Sequence, residues 1–356
     1  MPKRYKVAVI PGDGIGNEVV PAALEVLEVV GSRFDFALEL VEYPWGCEYY
    51  TRAGEMMPAD GLAQLAEHEA IFLGAVGFPG VPDDVSLWGL LIPIRRSFHQ
   101  YVNLRPVKLL EGVPSPLRPE VIGGGVDLVI VRENNEGEYS EIGGRLYRDT
   151  PDEIAVQEAV FTRRGIERVA RFAFDLARTR RSYVMSATKS NGIIHTLPFW
   201  DQVVGEVAEQ YPDVRYEKMH VDALAAAFVQ RPGHFDVVLG SNLFADILSD
   251  LGAAVAGSIG IAPSGNLDPT RDNPSMFEPV HGSAPDIAGK GIANPIGQIW
   301  SGSMMLRHLG EEAGAEAIDQ AIARVLATSE IRTGDLGGKS TTAEVTRAIV
   351  DALPAS

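Results

Sequence analysis

Short apolar runs alternate with amphipathic stretches along most of this chain. Residues 6–10 form an apolar run that ends at Pro11 and Gly12, and residues 17–30 then repeat apolar side chains at helical spacing. Further runs typical of strands cover residues 38–43, 71–76, 128–132, 154–161, 183–188 and 237–240. Helical spacing returns at residues 163–178 and 199–211 and after Ser301, and Thr341 with Glu344 predicts a capping box for the last helix. This alternation predicts an α/β fold whose sheet is at least partly parallel.

The length of the chain favours two domains. It has 356 residues, which is more than one hydrophobic core usually organises. The stretch 106–125 is rich in proline and glycine without being of low complexity, and we interpret it as a connection between domains. No internal repeat is visible.

Charge and cysteine content restrict the class of protein. The 31 Lys and Arg residues stand against 48 Asp and Glu, and the net charge of −17 argues against a nucleic acid or membrane partner. Cys47 is the only cysteine, which excludes an internal disulfide and a thiolate metal cluster. The first residues lack the features of a signal peptide, and the uncharged run 251–267 is too short and too interrupted to span a membrane. A soluble, cytoplasmic protein is expected.

The segment 277–297, FEPVHGSAPDIAGKGIANPIG, is too irregular for a helix or strand and is rich in small residues. Gly282, Ser283 and Ala284 would leave room for an adenosine, and Asp286 could accept hydrogen bonds from ribose hydroxyls. A loop of this composition is more often a tight connection without a ligand. Both interpretations stay open on this segment alone.

A glycine-rich loop near the start of the chain invites comparison with dinucleotide-binding loops. Gly12, Gly14 and Gly16 follow the first apolar run, but GDGIG lacks the two-residue gap before the last glycine of GxGxxG. We therefore predict a tight turn from strand to helix rather than a phosphate-binding loop.

Asp246 and Asp250, in SNLFADILSDLG, are four residues apart in a predicted helix and so share one face. A divalent cation would turn their repulsion into coordination, and an all-oxygen site suits Mg²⁺ or Mn²⁺ rather than zinc. A solvated helix face explains the spacing equally well.

Several other polar residues could carry chemistry. Arg95, Arg105 and Arg132 could bind the carboxylates of a small polycarboxylic acid, although ordinary ion pairs are the default for any one of them. Tyr139 and Lys189 could serve as an acid and a base, but composition does not distinguish them from packing and solvated residues. We interpret His281 as a loop or cofactor contact rather than a catalyst.

Six motifs in order carry a family resemblance: PGDGIG, NLRP, VRENNEGEY, TKSN, SNLFADILSDL and EPVHGSAPDIAGKGIANP. Together they resemble the metal-dependent β-decarboxylating dehydrogenases, the family of isocitrate and isopropylmalate dehydrogenases. The segments WGCEYY, SLWG, QYVNLRP and FTRRG are most similar to the branch of tartrate dehydrogenases and decarboxylating D-malate dehydrogenases.

The resemblance implies an isopropylmalate-dehydrogenase-like two-domain fold, not a Rossmann fold, with the active site in the interdomain cleft. It implies a large cofactor-binding domain from residues 1–100 and 256–356 and a small domain, 101–255, with the dimer interface. In the implied homodimer, Lys189 and Asp222 reach the active site of the neighbouring subunit.

The resemblance also assigns roles to individual residues. Arg95, Arg105 and Arg132 would hold the substrate carboxylates, and Asp222, Asp246 and Asp250 would ligate Mg²⁺ or Mn²⁺. Lys189 would act as the base and Tyr139 as the acid. The adenosine site would be lined by His281, Gly282, Ser283, Ala284, Asp286, Ile287 and Asn294. Asp286 should favour NAD, because an acid repels the additional phosphate of NADP. A requirement for K⁺ stays open.

The segment SLWGLLIPIRR is where members of this family read the substituent on the third carbon of the substrate. This chain places Trp88, Leu90 and Leu91 there. The bulk of Trp88 would favour a small substituent, and hence D-malate or tartrate as substrate. Isopropylmalate oxidation is the alternative within the family, and a noncatalytic regulatory or binding subunit is the alternative from another class.

Overall fold

The computed structural model describes residues 3–354, which form two compact units. The first unit contains the residues up to 100, residues 105–116 and those from 253 onward. The second contains residues 101–104 and 117–252. Strand β4, Val102–Lys108, carries the chain from one unit to the other.

The first unit is built from both ends of the chain. Its other strands are β1 (Lys3–Gly12), β2 (Phe36–Glu42), β3 (Ala70–Ala75), β11 (Pro263–Leu267) and β12 (Ser275–Pro279). Its helices are α1 (Gly16–Arg33), α2 (Cys47–Ala53), α3 (Gly61–Leu65), α4 (Asp83–Ser86), α5 (Ile92–Ser97), α11 (Ile296–Leu309), α12 (Glu312–Thr328) and α13 (Thr342–Ala352). Its 3₁₀ turns are Ile259–Ile261 and Gly334–Leu336, and a π-helical turn, Leu87–Leu91, joins α4 to α5.

The strands of the first unit lie in the order β2-β1-β3-β12-β11, and only the β11–β12 pair is antiparallel. Residues 7–10 in the middle of β1 are buried on both faces, as expected for a parallel strand covered by helices. On one face Ala8 and Ile10 pack in a cluster with Trp45, Met56 and Leu90. Helices α1 and α11 pack against the same sheet, and α12 and α13 pack against these helices and against each other.

The second unit contains four neighbouring parallel strands, in the order β5-β10-β8-β9. Its strands are β5 (Asp127–Glu133), β6 (Gly143–Leu146), β7 (Ile154–Gln157), β8 (Tyr183–Thr188), β9 (Arg215–His220) and β10 (Val237–Gly240). Its helices are α6 (Pro119–Ile122), α7 (Arg163–Arg178), α8 (Thr196–Ala208), α9 (Val221–Gln230) and α10 (Asn242–Val255), with a 3₁₀ turn at Pro232–His234. Strands β6 and β7 form a separate antiparallel hairpin.

The predicted α/β fold with a partly parallel sheet is confirmed. The capping box of the last helix is also present, because Thr341 Oγ1 accepts a hydrogen bond from the Glu344 N–H and the Glu344 carboxylate accepts one from the Thr341 N–H. One predicted strand, 154–161, was too long. It ends at Gln157 and belongs to the exposed hairpin rather than to a central sheet. No helix within residues 3–354 has the length and apolar character needed to cross a membrane.

The glycine-rich loop after β1 is the tight turn that its spacing predicted. Gly12 and Gly14 have φ angles of 73° and 55°, a region that glycine adopts without strain. A Cβ on Gly12 would lie 2.0 Å from the Ala75 carbonyl oxygen. Between them, the Asp13 carboxylate accepts hydrogen bonds from the N–H groups of Cys47 and Gly77. These glycines therefore serve close packing of backbone on backbone.

Candidate active site

The sheet of the second unit brings two of the motifs together. Arg132 lies near the end of β5 and pairs in register with Gly240, the last residue of β10. Helix α10, with Asp246 and Asp250, begins two residues after Gly240. Because the carboxyl ends of parallel strands meet at one edge of a sheet, Arg132 and the first turns of α10 become neighbours.

Arg132, Tyr139 and Asp246 form a hydrogen-bonded group at this edge. The Arg132 guanidinium, only 3% exposed, donates to the Asn242 side-chain oxygen from Nε at 3.0 Å and from Nη2 at 2.8 Å. Its Nη1 makes an ion pair with Asp246 Oδ1. The Tyr139 hydroxyl donates to Asp246 Oδ2 at 3.0 Å, and the Arg132 guanidinium lies 5.5 Å from the centroid of the Tyr139 ring. A buried cation, a phenol and a carboxylate thus converge.

Two carboxylates of the predicted metal set lie on one helix. Asp246 and Asp250 are one turn apart on α10, and their oxygen atoms are the kind of ligand that Mg²⁺ and Mn²⁺ prefer. Within residues 3–354, no group of three or more His, Cys, Asp or Glu side chains is arranged to hold a metal ion. Among the described residues, Asp222 is therefore not grouped with Asp246 and Asp250 in the same chain.

Lys189 and Asp222 form a second group in the same unit. Lys189 follows β8, Asp222 lies in the first turn of α9, and Lys189 Nζ is 2.7 Å from Asp222 Oδ2. The hydrogen bond from Lys189 lowers the pKa of Asp222. Both side chains reach solvent, at 31% and 66% exposure. The predicted base and the third predicted metal ligand are therefore direct neighbours.

The first unit holds the remaining predicted substrate residues. Arg95, in α5, is buried and makes an ion pair with Glu278 at 2.8 Å, and the Asn266 amide donates to the same Glu278 oxygen at 2.7 Å. Arg105 is buried in β4. Glu278, the first residue of the EPVHG motif, thus orients Arg95. The sequence patterns did not indicate this role.

Trp88 and Leu91 lie in the π-helical turn that precedes α5. Such turns widen a helix locally and are frequent at functional sites. Both side chains are partly exposed, whereas Leu90 between them is fully buried. The Arg96 guanidinium lies 5.0 Å from the centroid of the Trp88 ring. The turn thus leaves Trp88 partly exposed, whereas Leu90 lies in the core cluster and Leu91 packs against it.

A cavity of about 490 Å³ in the first unit contains much of the predicted adenosine site. It is lined by Ile15, Ser258, Ile259, Gly260, His281, Ala284, Ile287, Ile292, Asn294, Gly334, Asp335, Lys339 and Ser340. His281 Nδ1 lies 3.0 Å from the Gly282 carbonyl, but its Nε2 is buried without a hydrogen-bond partner within residues 3–354. Burial lowers the pKa of His281. A mostly apolar cavity lined by a buried imidazole and a few polar side chains suits a flat heterocyclic ligand with a polar edge.

Backbone contacts fix the loop that forms one wall of this cavity. The Ile15 N–H donates to the Ser283 carbonyl at 2.8 Å, and a Cβ on Gly14 would lie 2.0 Å from the same oxygen. Asp286 is exposed and is not among the described residues that line the cavity, whereas Asp335 is. Asp335 accepts hydrogen bonds from Ser258 Oγ at 2.6 Å and Asn294 Nδ2 at 3.0 Å. The sequence patterns did not indicate Asp335 or Lys339.

Comparison with known proteins places this geometry in a family. Residues 6–352 match the family described as isocitrate/isopropylmalate dehydrogenase. The chain belongs to this family. The family and fold that the six motifs predicted are confirmed.

Curated members of the family are similar over almost the full length. The chain is 53% identical to a probable tartrate dehydrogenase/decarboxylase of Bacillus subtilis, with 99% of this chain and 98% of that protein covered. It is 53% identical to the decarboxylating D-malate dehydrogenase of Escherichia coli, with 98% of each covered. A tartrate dehydrogenase/decarboxylase of Pseudomonas putida is 52% identical over 98% of each chain.

Solved structures of more distant family members share the fold. The isocitrate dehydrogenase of Methylococcus capsulatus superposes with a TM-score of 0.87 at 34% sequence identity, covering 98% of this chain and 99% of that one. A Thermus thermophilus protein gives the same TM-score at 35% identity, covering 99% of this chain and 69% of that one.

Proposed function

We propose that this protein catalyses the NAD-dependent oxidation and β-decarboxylation of a small 2-hydroxy dicarboxylic acid, with D-malate or tartrate preferred. The observation that carries the proposal is the group formed by Arg132, Tyr139 and Asp246, within a chain about half identical to tartrate and D-malate dehydrogenases. A buried cation for a carboxylate, a proton donor and a metal-type carboxylate are the groups that this reaction requires.

The proposed reaction needs side chains that bind the substrate and side chains that transfer protons. Arg95, Arg105 and Arg132 would bind the two carboxylates of the substrate. Their buried guanidinium groups supply local positive charge in a chain of net charge −17. Lys189 would take the proton of the substrate hydroxyl as the hydride leaves. After CO₂ departs, Tyr139 would donate a proton to the third carbon of the enolate.

Two bound groups complete the chemistry. When bound, a divalent cation supplies an electrophile for the substrate oxygen, and NAD supplies the hydride acceptor. Asp246 and Asp250 would hold the cation together with Asp222, and their all-oxygen character supports Mg²⁺ or Mn²⁺. K⁺ is a further candidate cofactor.

The first unit would bind NAD. Its cavity of about 490 Å³ and the unsatisfied His281 Nε2 support an adenosine site there. Gly282, Ser283, Ala284, Ile287 and Asn294 would contribute to the same site. Asp286, exposed beside this wall, would disfavour the extra phosphate of NADP.

A homodimer with shared active sites is part of the proposal. The β6–β7 hairpin exposes Leu146, Ile154 and Val156 at 61%, 46% and 47%, and an isolated two-stranded hairpin is marginally stable on its own. A second copy of the chain that covers these side chains would stabilise it.

Further exposed apolar side chains lie on or near the elements of the second unit that carry Lys189, Asp222 and Asp246. Ile194, five residues after Lys189, is 68% exposed, and Val229 on α9 with Asp222 is 43% exposed. Ile247, next to Asp246 on α10, is 56% exposed. This pattern supports a partner surface that delivers Lys189 and Asp222 to the site of the other subunit.

The substrate preference rests on the π-helical turn. The partly exposed indole of Trp88 would limit the room beside the third carbon to hydrogen or hydroxyl. A cytoplasmic location agrees with Cys47, a buried free thiol.

The experiment that tests the function measures NADH formation by purified protein with Mn²⁺ and K⁺. D-malate, the tartrate isomers, isopropylmalate and isocitrate would be compared, with CO₂ release measured for each active acid. We expect turnover with D-malate or tartrate. A preference for isopropylmalate would overturn the role of Trp88. No NADH formation with any of the acids would favour a noncatalytic subunit.

A further inference from the structure

Three glutamates follow one another closely in the segment 133–138, and each carboxylate accepts hydrogen bonds from backbone N–H groups. Glu133 accepts from the N–H groups of Asn135 at 3.0 Å and Glu136 at 2.8 Å, and so folds the segment itself. Glu136 accepts from Thr162 N at 2.8 Å and Thr162 Oγ1 at 2.7 Å, just before helix α7. The third glutamate, Glu138, binds a different helix.

Glu138 holds the start of α10. Its Oε1 accepts from the Ser241 hydroxyl at 2.8 Å, and its Oε2 accepts from the Leu243 N–H at 3.1 Å. The first N–H groups of a helix have no partner within the helix, and a negative charge there is favourable. Ser241 precedes the helix and donates its hydroxyl to Glu138, so the cap comes from a residue about a hundred positions away rather than from the local chain.

The segment that contains Glu138 also contacts the candidate site on α10. Tyr139 follows Glu138 directly in the chain, and its hydroxyl donates to Asp246 Oδ2 at 3.0 Å, one turn into α10. Asn242, the first residue of α10, donates from Nδ2 to the Glu136 carbonyl at 3.1 Å and accepts from Arg132. The helix start, its first carboxylate and the tyrosine are thus tied to one short segment.

We propose that Glu138 is a positioning residue that sets the Tyr139 hydroxyl and the α10 carboxylates in one geometry, a proposal that rests on the function proposed for Tyr139, Asp246 and Asp250. Without Glu138, the first turn of α10 would lose a charged acceptor and the backbone before Tyr139 would lose its anchor. Both the cation site and the proton donor would then loosen together.

Glu136 provides a matched control for a merely structural role. It lies in the same segment and its carboxylate holds the start of a helix, but that helix, α7, carries none of the proposed site residues. The test compares Glu138→Ala and Glu138→Gln with Glu136→Ala. Three properties are measured: hydrogen exchange of the amides in the first turn of α10, Mn²⁺ affinity without substrate, and kcat and KM with D-malate.

We expect Glu138→Ala to speed exchange in the first turn of α10 and to lower both Mn²⁺ affinity and kcat by roughly 10- to 100-fold, as loss of an outer-shell partner typically does. Glu138→Gln keeps the shape and one acceptor oxygen but loses the charge at the helix start, so its Mn²⁺ affinity and kcat should fall between those of the alanine variant and the wild type. Glu136→Ala should lose a comparable amount of thermal stability and keep the Mn²⁺ affinity and kcat of the wild type.

Equal stability losses in Glu138→Ala and Glu136→Ala, with Mn²⁺ affinity and kcat unchanged in both, would overturn the positioning role. If Glu138→Ala does not fold, wild-type Mn²⁺ affinity and kcat in Glu138→Gln would overturn it. A wild-type protein that binds Mn²⁺ but oxidises no acid would instead overturn the proposed function, and the exchange and Mn²⁺ measurements would still decide the role of Glu138.

Discussion

At the scale of single residues, the proposed role of Asp286 in the choice between NAD and NADP can be measured. Its exposed carboxylate would disfavour a second anionic group beside the ribose, so Asp286→Ala should reduce the discrimination between NAD and NADP. We expect a change of roughly tenfold in the ratio of the two kcat/KM values, corresponding to about 1.4 kcal/mol. Asp286→Asn serves as the control, because it removes the charge and keeps a hydrogen-bond acceptor for the ribose. An unchanged ratio in both variants would assign the preference to other residues.

Glu133 makes the stability of the second unit depend on pH. Burial raises the pKa of Glu133 from its usual 4.5 to about 7. The native state therefore binds the proton more tightly than the unfolded state, so this contribution is complete below pH 4.5 and is lost as the pH rises to about 7. The loss is on the order of 3 kcal/mol, since one pKa unit corresponds to about 1.4 kcal/mol.

Urea unfolding of the wild type and Glu133→Gln at several pH values would measure this contribution. The glutamine mimics the protonated acid, so the difference in unfolding free energy between the two proteins should change between pH 4.5 and about 7. A difference that stays constant over that window would show that Glu133 is ionised throughout.

At the scale of elements, the turn from β1 to α1 supports the wall of the cavity that we propose as the adenosine site. A Cβ on Gly14 would lie 2.0 Å from the Ser283 carbonyl oxygen, at a φ of 55°. Gly123 is a matched control, because its φ is 52° and nothing lies within 4 Å of a Cβ there. Gly14→Ala should therefore be less stable than Gly123→Ala by about 1–3 kcal/mol, the usual cost of overpacking. It should also bind NAD more weakly.

Thermal unfolding and NAD titration of the two alanine variants would test this support. Equal stabilities would mean that the Ser283 loop moves away at little cost. Unchanged NAD affinity in Gly14→Ala would show that the turn does not control the cofactor site.

The success of sequence reasoning at this scale depended on apolar continuity. Strands β8 and β10 and helix α7 begin and end where their patterns predicted. Strand β10 is apolar throughout, β8 is interrupted only by the small Ser186 and the terminal Thr188, and the apolar residues of α7 recur at helical spacing. Strands β11 and β12 were missed. Their sequences, PSGNL and SMFEP, contain proline, glycine and polar residues, yet every residue in them is buried. Tertiary packing there overrides local propensity.

The candidate site was only partly predictable, for a similar reason. Arg132, Tyr139 and Asp246 were indicated by motifs, and the parallel register of β5 and β10 explains why they meet. Asp335 and Lys339 were not indicated, because they come from a short 3₁₀ turn and the loop after it, about fifty residues beyond the adenosine motif. No local sequence pattern indicated Glu138, because the helix start that it binds lies about a hundred residues later in the chain.

At the scale of the whole molecule, shared active sites predict which pairs of inactive variants restore each other. If each site combines Asp246 of one subunit with Lys189 and Asp222 of its partner, a mixed dimer of Lys189→Ala and Asp246→Asn contains one intact site and one site with both defects. Random exchange of equal amounts makes half the dimers mixed, so the mixture should recover about a quarter of the wild-type activity.

The pair Lys189→Ala and Asp222→Asn is the control for this experiment. Those two side chains are direct neighbours in one chain, 2.7 Å apart, so both would enter the same site from the same subunit. Each site of their mixed dimer then keeps one defect, and no activity should return. Subunit exchange would be confirmed by mass spectrometry of differently tagged chains. No recovery in the first pair despite proven exchange would contradict shared sites and place Lys189 at the site of its own subunit. Recovery in the control pair would instead show that Lys189 and Asp222 serve different sites.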